Sequence, residues 1–294
     1  MSQTQNCNCN CQCPETPTIN LPIKSFVTPG HGMSVNIDAG ALEKLECKCL
    51  EKYLPPENLY VAVDGNDGND GLSWGTAFRT IQAAVDETGK YSRTGSCIIV
   101  NIGPGAYDKG AVIDFSTHYH NLMLLGESTT RVAAVGDRAF SASGPGTVHI
   151  SNLNIESTTS CIHCGNSGFI TVTNSKLTAK SSSGIAIHAS AKSNIKISKE
   201  NEIYCDSCSR AIYATCNSYI AIANDLKING SVSKCLIESN RNSTIFRFSN
   251  SEVSGTVTGK RYDCSYNGVL EKSGNTPYPG TIEGTVSTGG AYTT

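Results

Sequence analysis

Apolar and polar residues alternate through much of the second half of the chain, and the alternating segments recur every 25 residues. Three columns of apolar residues follow from this repeat: Ile162, Ile187, Ile212 and Ile237; Ile170, Ile195, Ile220 and Ile245; and Val172, Ile197 and Ile222, which is interrupted at Arg247. An apolar residue at every second position indicates a strand with one buried face. Polar pairs that favour turns separate these strands, at Asn166–Ser167, Lys192–Ser193 and Asn217–Ser218.

A unit of this length cannot bury its inner face alone, so neighbouring units must stack. The repeat therefore predicts an all-β parallel β-helix of about 25 residues per coil, with isoleucines stacked about 4.8 Å apart along the axis. Less regular strands precede the repeat, and they extend the predicted solenoid to residues 96–255, or about six coils.

The segments that flank the solenoid have a different character. Residues 58–95 contain an entry strand and a segment, Thr76 to Glu87, that places Phe78, Ile81 and Val85 on one helical face. With Thr76 as its N-cap, this helix is expected to cap the first coil. Residues 1–57 are interrupted by prolines and predict an extended N-terminal arm, and residues 256–294 form a terminal segment.

Charge and composition exclude two classes of partner. The chain has 23 Lys and Arg residues and 25 Asp and Glu residues, so it lacks the basic excess that is typical of nucleic-acid-binding proteins. No apolar run is long enough for membrane insertion. The first residues have neither a basic nor an apolar segment of a signal peptide, so assembly in the cytoplasm is expected, with most of the 14 cysteines as thiols.

The segment from Leu59 to Val85, LYVAVDGNDGNDGLSWGTAFRTIQAAV, resembles the entry to pectin-lyase-like β-helix domains of bacteriophage tailspikes and tail fibres. Residues 276–292 are similar to the terminal segments of phage fibres. The resemblance implies a right-handed parallel β-helix in a homotrimer on the virion tail, assembled in the host cytoplasm. It also implies attachment to a tail or baseplate protein through residues 1–57, and contact with a polysaccharide or protein of the host surface.

One outward column of the repeat carries the candidate binding residues. It contains His163, His188, Tyr213 and Glu238, and the outward column of the neighbouring strand contains Lys196 and Phe246. Two interpretations stay open, a solvated sheet face and a groove that contacts a saccharide. Closely spaced carboxylates, which a glycosidase requires, are not evident, so no catalytic residue is assigned.

The cysteines form two groups with different candidate chemistry. Alternating cysteines near the N-terminus could hold zinc or iron, or remain thiols or interchain disulfides: Cys7, Cys9, Cys11, Cys13, Cys47 and Cys49. Cys161 with Cys164 and Cys205 with Cys208 have the C-x2-C spacing of zinc ligands. The 25-residue register places Cys205 and Cys208 in a loop, away from the other pair, and so favours buried thiols over zinc.

Two further motifs have simpler interpretations. His118 and His120 predict two imidazoles on one side of a strand, where surface histidines are favoured over an iron site. The segment Asp64 to Gly71 departs from the EF-hand pattern, and turns explain it better than calcium does.

Three functions therefore remain. The first is a structural tail fibre or tailspike that recognises the host surface. The second is a tailspike depolymerase, a lyase or glycoside hydrolase acting on capsule or O-antigen. The third is a tail adaptor or decoration protein that binds no receptor.

Overall fold

The computed structural model describes residues 24–26, 34–36, 56–91, 97–127, 129–272 and 276–293. Two compact units divide the chain, Met1–Lys52 and Tyr53–Thr294. In the first unit, β1 (Lys24–Phe26) pairs antiparallel with β2 (Ser34–Asn36). The remainder of the predicted arm up to residue 55 lies outside the described residues.

The second unit is almost entirely β-structure. Its first strands are β3 (Asn58–Val61), β4 (Ile98–Ile102), β5 (Gly105–Tyr107), β6 (Ala111–Asp114), β7 (Asn121–Gly126), β8 (Thr130–Ala134), β9 (Phe140–Ser143), β10 (Thr147–Ser151), β11 (Asn154–Ser157), β12 (Ser160–Gly165), β13 (Phe169–Thr173), β14 (Lys176–Lys180) and β15 (Ile185–Ala189). The later strands are β16 (Asn194–Ile197), β17 (Asn201–Cys208), β18 (Arg210–Ala214), β19 (Tyr219–Ile222), β20 (Leu226–Val232), β21 (Ile237–Asn240), β22 (Thr244–Arg247), β23 (Val253–Ser254), β24 (Val257–Thr258), β25 (Tyr262–Ser265), β26 (Val269–Lys272), β27 (Thr285–Val286) and β28 (Ala291–Thr293).

These strands form three parallel sheets, and most coils contribute one strand to each sheet. Sheet 1 has ten strands in the order β3-β4-β7-β10-β13-β16-β19-β22-β26-β28. Sheet 2 has the order β5-β8-β11-β14-β17-β20-β23, with β24 also paired to β20, and sheet 3 has the order β6-β9-β12-β15-β18-β21-β25-β27. The predicted parallel β-solenoid is confirmed, and it has about eight coils rather than six. The strands β24 to β28, which lie within the predicted terminal segment, extend the same three sheets.

The isoleucine columns occupy the interior, as predicted. Ile162, Ile187, Ile212 and Ile237 are paired in register along sheet 3, and the second isoleucine column is paired in the same way along sheet 1. Every member of both columns is at most 1% exposed. Burial of apolar side chains in every coil is the main source of stability in such a fold.

The third apolar column continues through two cations instead of ending. Val172, Ile197 and Ile222 are followed in register by Arg247 and Lys272. Arg247 is 1% exposed, and its guanidinium lies 5.3 Å from the ring centroid of the buried Tyr278. The sequence pattern appeared broken at Arg247 because the residue type changes, although the strand keeps its register.

One helix caps the first coil, but it begins later than predicted. α1 spans Ile81–Thr88, and its N-cap is Thr80, whose side chain accepts a hydrogen bond from the Ala83 amide. Thr76, the predicted N-cap, belongs to a short 3-10 turn. Within the described residues, no helix is long and apolar enough to cross a membrane.

The Asp/Asn/Gly segment before α1 forms turns, as its sequence indicates. The Asp67 carboxylate accepts hydrogen bonds from the Arg79 and Thr80 amides at 2.9 and 2.8 Å and from the Thr80 hydroxyl at 2.9 Å. The Asp70 carboxylate accepts one from the Leu72 amide. The Asp67 bonds tie the segment to the start of the helix and the Asp70 bond closes a local turn, so both carboxylates have structural partners.

The corner between sheet 3 and sheet 1 has the same backbone conformation in successive coils. Two consecutive non-glycine residues with positive φ form each corner, at 166–167, 191–192, 216–217, 241–242 and 266–267. In the second and third of these coils the pair lies one residue earlier than the predicted turn. The corner amides continue the ladder of hydrogen bonds between coils; for example, Lys192 donates to the Cys216 carbonyl and Asn217 to the Arg241 carbonyl.

The repeat is less regular in sheet 2 than its gapless sequence suggests. Leu177 pairs with Ile203, which is 26 positions later, whereas Ile187 pairs with Ile212, which is 25 positions later. Lys199 and Glu200 both have positive φ at the preceding corner, where the extra residue is accommodated. The period is restored before β18 begins, so the irregularity is confined to one side of the solenoid.

Candidate functional site

The predicted outward ladder exists on sheet 3. His163, His188, Tyr213 and Glu238 are direct neighbours on successive strands. The rings of His163 and His188 are 4.9 Å apart between centroids, and those of His188 and Tyr213 are stacked at 4.8 Å with an interplanar angle of 20°. The ladder continues to Asp263. Parallel pairing therefore places side chains of one column in contact, as the repeat predicted.

The solvated interpretation does not hold for His163 and Glu238 of this ladder, which neighbouring side chains cover. His163 is 7% exposed and Glu238 is 2% exposed, although both point away from the solenoid interior. His188 and Tyr213 are half-buried. Long side chains cover the column: Arg138 reaches His163, and the guanidinium of Arg210 lies 4.5 Å from the Tyr213 centroid.

Glu238 is held as an anion by its neighbours. Its Oε2 accepts hydrogen bonds from Arg210 Nε at 2.5 Å and lies 2.7 Å from Lys234 Nζ, and its Oε1 accepts one from Asn240 Nδ2 at 2.8 Å. Burial raises the pKa of this carboxyl, but the hydrogen bonds and charges of Lys234 and Arg210 outweigh that effect and lower it. A carboxylate with both oxygens occupied is a poor proton donor.

The two histidines of the ladder are neutral. Burial and the charge of Arg138 lower the pKa of His163 to about 3, and burial with the charges of Arg138 and Arg210 lowers that of His188 to about 4. Arginine can only donate, so His163 Nδ1 accepts from Arg138 Nη1 at 3.1 Å. His163 Nε2 then carries the proton and donates to the Ser190 hydroxyl at 3.1 Å.

A second carboxylate, Glu156 on sheet 2, is held in a similar way. Its oxygens accept from Arg131 at 2.8 and 2.9 Å and from Lys180 at 2.5 Å. The Arg131 hydrogen bond is the main cause that lowers the pKa of Glu156 to about 2, with Lys180 adding to it. The buried Glu238 and the half-buried Glu156 are therefore each fixed by a pair of cations.

Lys196 and Phe246 lie on a different surface, the outer face of sheet 1. They share the column Thr171, Lys196, Ala221, Phe246 and Glu271. Lys196 is exposed and Phe246 is half-buried. The structure thus separates the six predicted residues into a covered ladder on sheet 3 and an accessible pair on sheet 1.

Two exposed rings on the same face were missed by the sequence analysis. Phe169, Asn194 and Tyr219 are direct neighbours on β13, β16 and β19, and Phe169 and Tyr219 are 36% and 37% exposed. The two rings are two coils apart, which is about 10 Å. The available signal was an aromatic residue immediately before the second isoleucine column in two of the units. We call Phe169, Asn194, Lys196, Tyr219 and Phe246 the aromatic face.

A titratable group borders the aromatic face at each end, His149 on β10 and Glu271 on β26. Burial, and then the charge of Lys196, lowers the pKa of His149 on β10. Burial, and then the charge of Glu271 on β26, raises the pKa of Tyr219. The face therefore presents a cation, a carboxylate, an amide and aromatic rings on one flat sheet surface, which suits binding of a polar ligand with apolar patches.

A cavity of about 480 Å³ lies near α1, at the first coils of sheet 3. Its lining includes Gln82, whose amide bonds the backbone of Val112, and the exposed Val135. The titratable residues of the lining are Lys109, Asp137 and Arg138. With one carboxylate among them, the lining residues do not supply the carboxyl pair of a glycoside hydrolase.

The interior cysteines are buried thiols, as predicted, but their predicted positions require correction. Cys161, Cys164, Cys205 and Cys208 are all free and at most 1% exposed. Cys205 and Cys208 belong to strand β17 and not to a loop, because the coil before β17 has the extra residue that shifts its register. Burial, and then the neighbouring Cys208, raises the pKa of the Cys161 thiol, so members of the two pairs lie near each other.

The structure does not test the N-terminal metal hypothesis. Cys7, Cys9, Cys11, Cys13, Cys47 and Cys49 lie outside the described residues. Among the residues that the structure describes, no group of three or more His, Cys, Asp or Glu side chains is placed to hold a metal ion.

His118 and His120 lie in a turn after β6 and not on a strand, so they do not form a pair on one face. His118 Nδ1 accepts from the Asp114 amide, and its Nε2 is 3.2 Å from the Asp86 carboxylate on α1. His120 Nε2 is 2.8 Å from the Phe115 carbonyl. Both rings have structural partners.

Comparison of the chain with models of protein families, with curated proteins and with solved structures gives no match.

Proposed function

We propose that this chain is a non-enzymatic spike or fibre protein that recognises a cell-surface glycan through the aromatic face of sheet 1. The observation that carries the proposal is the column Phe169, Asn194 and Tyr219, in which two exposed rings flank an amide. Lys196 lies in the adjacent column at the level of Asn194.

The spacing of the rings suits an extended polysaccharide. A sugar presents an apolar face of C–H groups that stacks on an aromatic ring, while its hydroxyl groups bond amides and charged side chains. Rings about 10 Å apart along one axis match alternate sugars of an extended chain that lies parallel to the solenoid. Asn194 and Lys196 then face the sugar between the two stacked ones.

Binding without cleavage agrees with the state of the carboxylates. Glycoside hydrolysis requires a carboxyl group that keeps a proton for the leaving group. Glu238 and Glu156 are instead held as anions by Arg210 with Lys234 and by Arg131 with Lys180. Neither group is suited to the role of general acid.

The place of the protein on a virion is the second part of the proposal. The entry segment Leu59 to Val85 resembles that of phage tailspikes and tail fibres. This resemblance supports a homotrimer on the virion tail, assembled in the host cytoplasm and attached to a tail or baseplate protein through residues 1–57. The solenoid would then present its side faces to the host.

The test measures adsorption of the purified full-length protein to a panel of bacterial capsule and O-antigen polysaccharides. Phe169→Ala and Tyr219→Ala are each expected to weaken binding at least tenfold, because each removes one stacking platform. Tyr204→Ala is the matched control, since Tyr204 is an exposed tyrosine on sheet 2. Its binding should equal that of the wild type.

Two outcomes contradict the proposal. Shortening of the polysaccharide by the wild-type protein would favour a depolymerase. Binding to none of the panel, or equal losses in Tyr204→Ala and in the two aromatic-face variants, would remove the aromatic face as the recognition surface.

A further inference from the structure

Two interior thiols face each other where regular strand geometry would separate them. Residues three apart in a strand point to opposite faces, yet Cys205 and Cys208 are 1% and 0% exposed. A bulge in β17 explains this: Cys205 pairs with Gly230 and Cys208 with Val232, so the register shifts between them. Ser207 has φ +54° within the bulge. The bulge therefore turns both side chains inward.

Cys205 and Cys208 belong to one strand, β17, whereas the neighbouring Cys161 belongs to β12 of another sheet. The Cys208 side chain is the first cause that raises the pKa of the Cys205 thiol, so the two side chains are neighbours, and Cys208 Sγ donates to the Arg210 carbonyl at 3.4 Å. Cys161 Sγ instead donates to the Thr178 carbonyl at 3.3 Å and approaches the Ile155 carbonyl at 3.7 Å. Cys161 and Cys208 thus both bond backbone carbonyls, and what sets Cys205 and Cys208 apart is that the bulge of β17 turns both of them inward on one strand.

We propose that Cys205 and Cys208 are a dithiol that closes to an intramolecular disulfide under oxidising conditions. The oxidant is a low-molecular-weight disulfide such as oxidised glutathione. One cysteine, as its thiolate, attacks a sulfur of the oxidant and releases one small thiol. The second cysteine, after losing its proton, attacks the mixed disulfide and releases the other small thiol. Two protein thiols are oxidised, and one small disulfide is reduced to two thiols.

The burial of the pair determines when this bond forms. The neighbouring Cys208 thiol, and then burial, raise the pKa of Cys205, so little thiolate exists while the coil is closed. Exchange therefore requires local opening of the coil at β17, and it is slow in the folded chain. A reducing cytoplasm keeps the two cysteines as thiols, whereas an oxidising medium favours the disulfide. The disulfide would cross-link the bulge of β17 covalently.

The experiment uses peptide mapping of the full-length protein. Folded protein is incubated below its unfolding temperature with either oxidised glutathione or a reductant, then denatured and alkylated. Trypsin yields the peptide 200–210, which contains both Cys205 and Cys208, and the peptide 139–176, which contains Cys161. After oxidation, the 200–210 peptide should lack both alkyl groups and weigh two hydrogens less than the dithiol form. Reduction should restore both alkylation sites.

Variants establish which cysteine is required. Cys161→Ser should retain the internal bond of the 200–210 peptide, because Cys161 takes no part in it. Cys205→Ser should abolish that bond. Full alkylation of the wild-type 200–210 peptide after oxidation, or a bond that joins it to the 139–176 peptide, would overturn the proposal, and neither reading requires a variant to fold.

Discussion

The outer faces of sheet 3 and sheet 1 belong to the same stack of coils, but they differ in how far their outward side chains are exposed to solvent. On sheet 3, long side chains cover the ladder of His163, His188, Tyr213 and Glu238, and Arg138, Arg210 and Asn240 donate hydrogen bonds to its members His163 and Glu238. On sheet 1, Phe169 and Tyr219 leave more than a third of their surface exposed. An outward position in a solenoid is therefore not necessarily an accessible one, because neighbouring columns decide whether it is covered. We expect changes on sheet 3 to affect stability and changes on sheet 1 to affect binding.

The largest effect is expected for Glu238→Gln, which should destabilise the fold by about 3 kcal/mol. This change keeps the shape of the side chain but removes the charge that Arg210 and Lys234 neutralise. Denaturant unfolding of the two proteins measures the difference. Glu271→Gln on sheet 1 is the matched control and should change stability by less than about 0.5 kcal/mol, since Glu271 is exposed. Equal effects of the two changes would remove the contrast between the faces.

The second largest effect is expected from acid, which should lower the free energy of unfolding through the sheet 3 ladder. An unfolded His163 binds its proton near pH 6.5, whereas the folded one does so only at about pH 3. The unfolded state therefore takes up more protons between these values, and stability falls as the pH is lowered through this range. At pH 5 this costs about 2 kcal/mol for His163.

The measurement is the free energy of unfolding from pH 7 to pH 4 for the wild type and for His163→Gln. The variant should have a shallower dependence on pH over this range, because one of the two buried imidazoles is absent. Parallel curves for the two proteins would contradict the role of His163.

The smallest effect is expected on sheet 1. Lys196→Gln should leave stability within about 0.5 kcal/mol of the wild type, because Lys196 is exposed. Removal of its charge should also raise the pKa of His149, which burial and Lys196 together lower. Titration of the imidazole signals by NMR measures this shift. An unchanged His149 pKa would show that the two side chains do not interact across the aromatic face.

The sequence was sufficient to predict the fold because one pattern repeats in every coil. The isoleucine columns, the order of strands within a coil and the composition of the His163 ladder all follow from a 25-residue period. Parallel pairing converts equal spacing in the chain into contact between neighbouring strands.

Features that depend on one coil were not predictable in the same way. The extra residue at Lys199 and Glu200 shifts β17 without changing the overall period, and it moved Cys205 from a predicted loop into a buried strand. The burial of Glu238 depends on Arg210 and Lys234, which lie outside its column. A periodic pattern specifies which residues are stacked. It does not specify the orientation of long side chains in the neighbouring columns.

The paired left-handed residues at the corner between sheet 3 and sheet 1 also bear on how such a chain can change in length. Successive coils make this corner with the same number of residues and the same backbone, so each offers its neighbour an identical template. Duplication or loss of one whole 25-residue unit in the gene would preserve the pairing between neighbouring coils and change the length of the solenoid by one coil. A partial duplication would misalign all three sheets, so evolution of the molecule should proceed in whole coils.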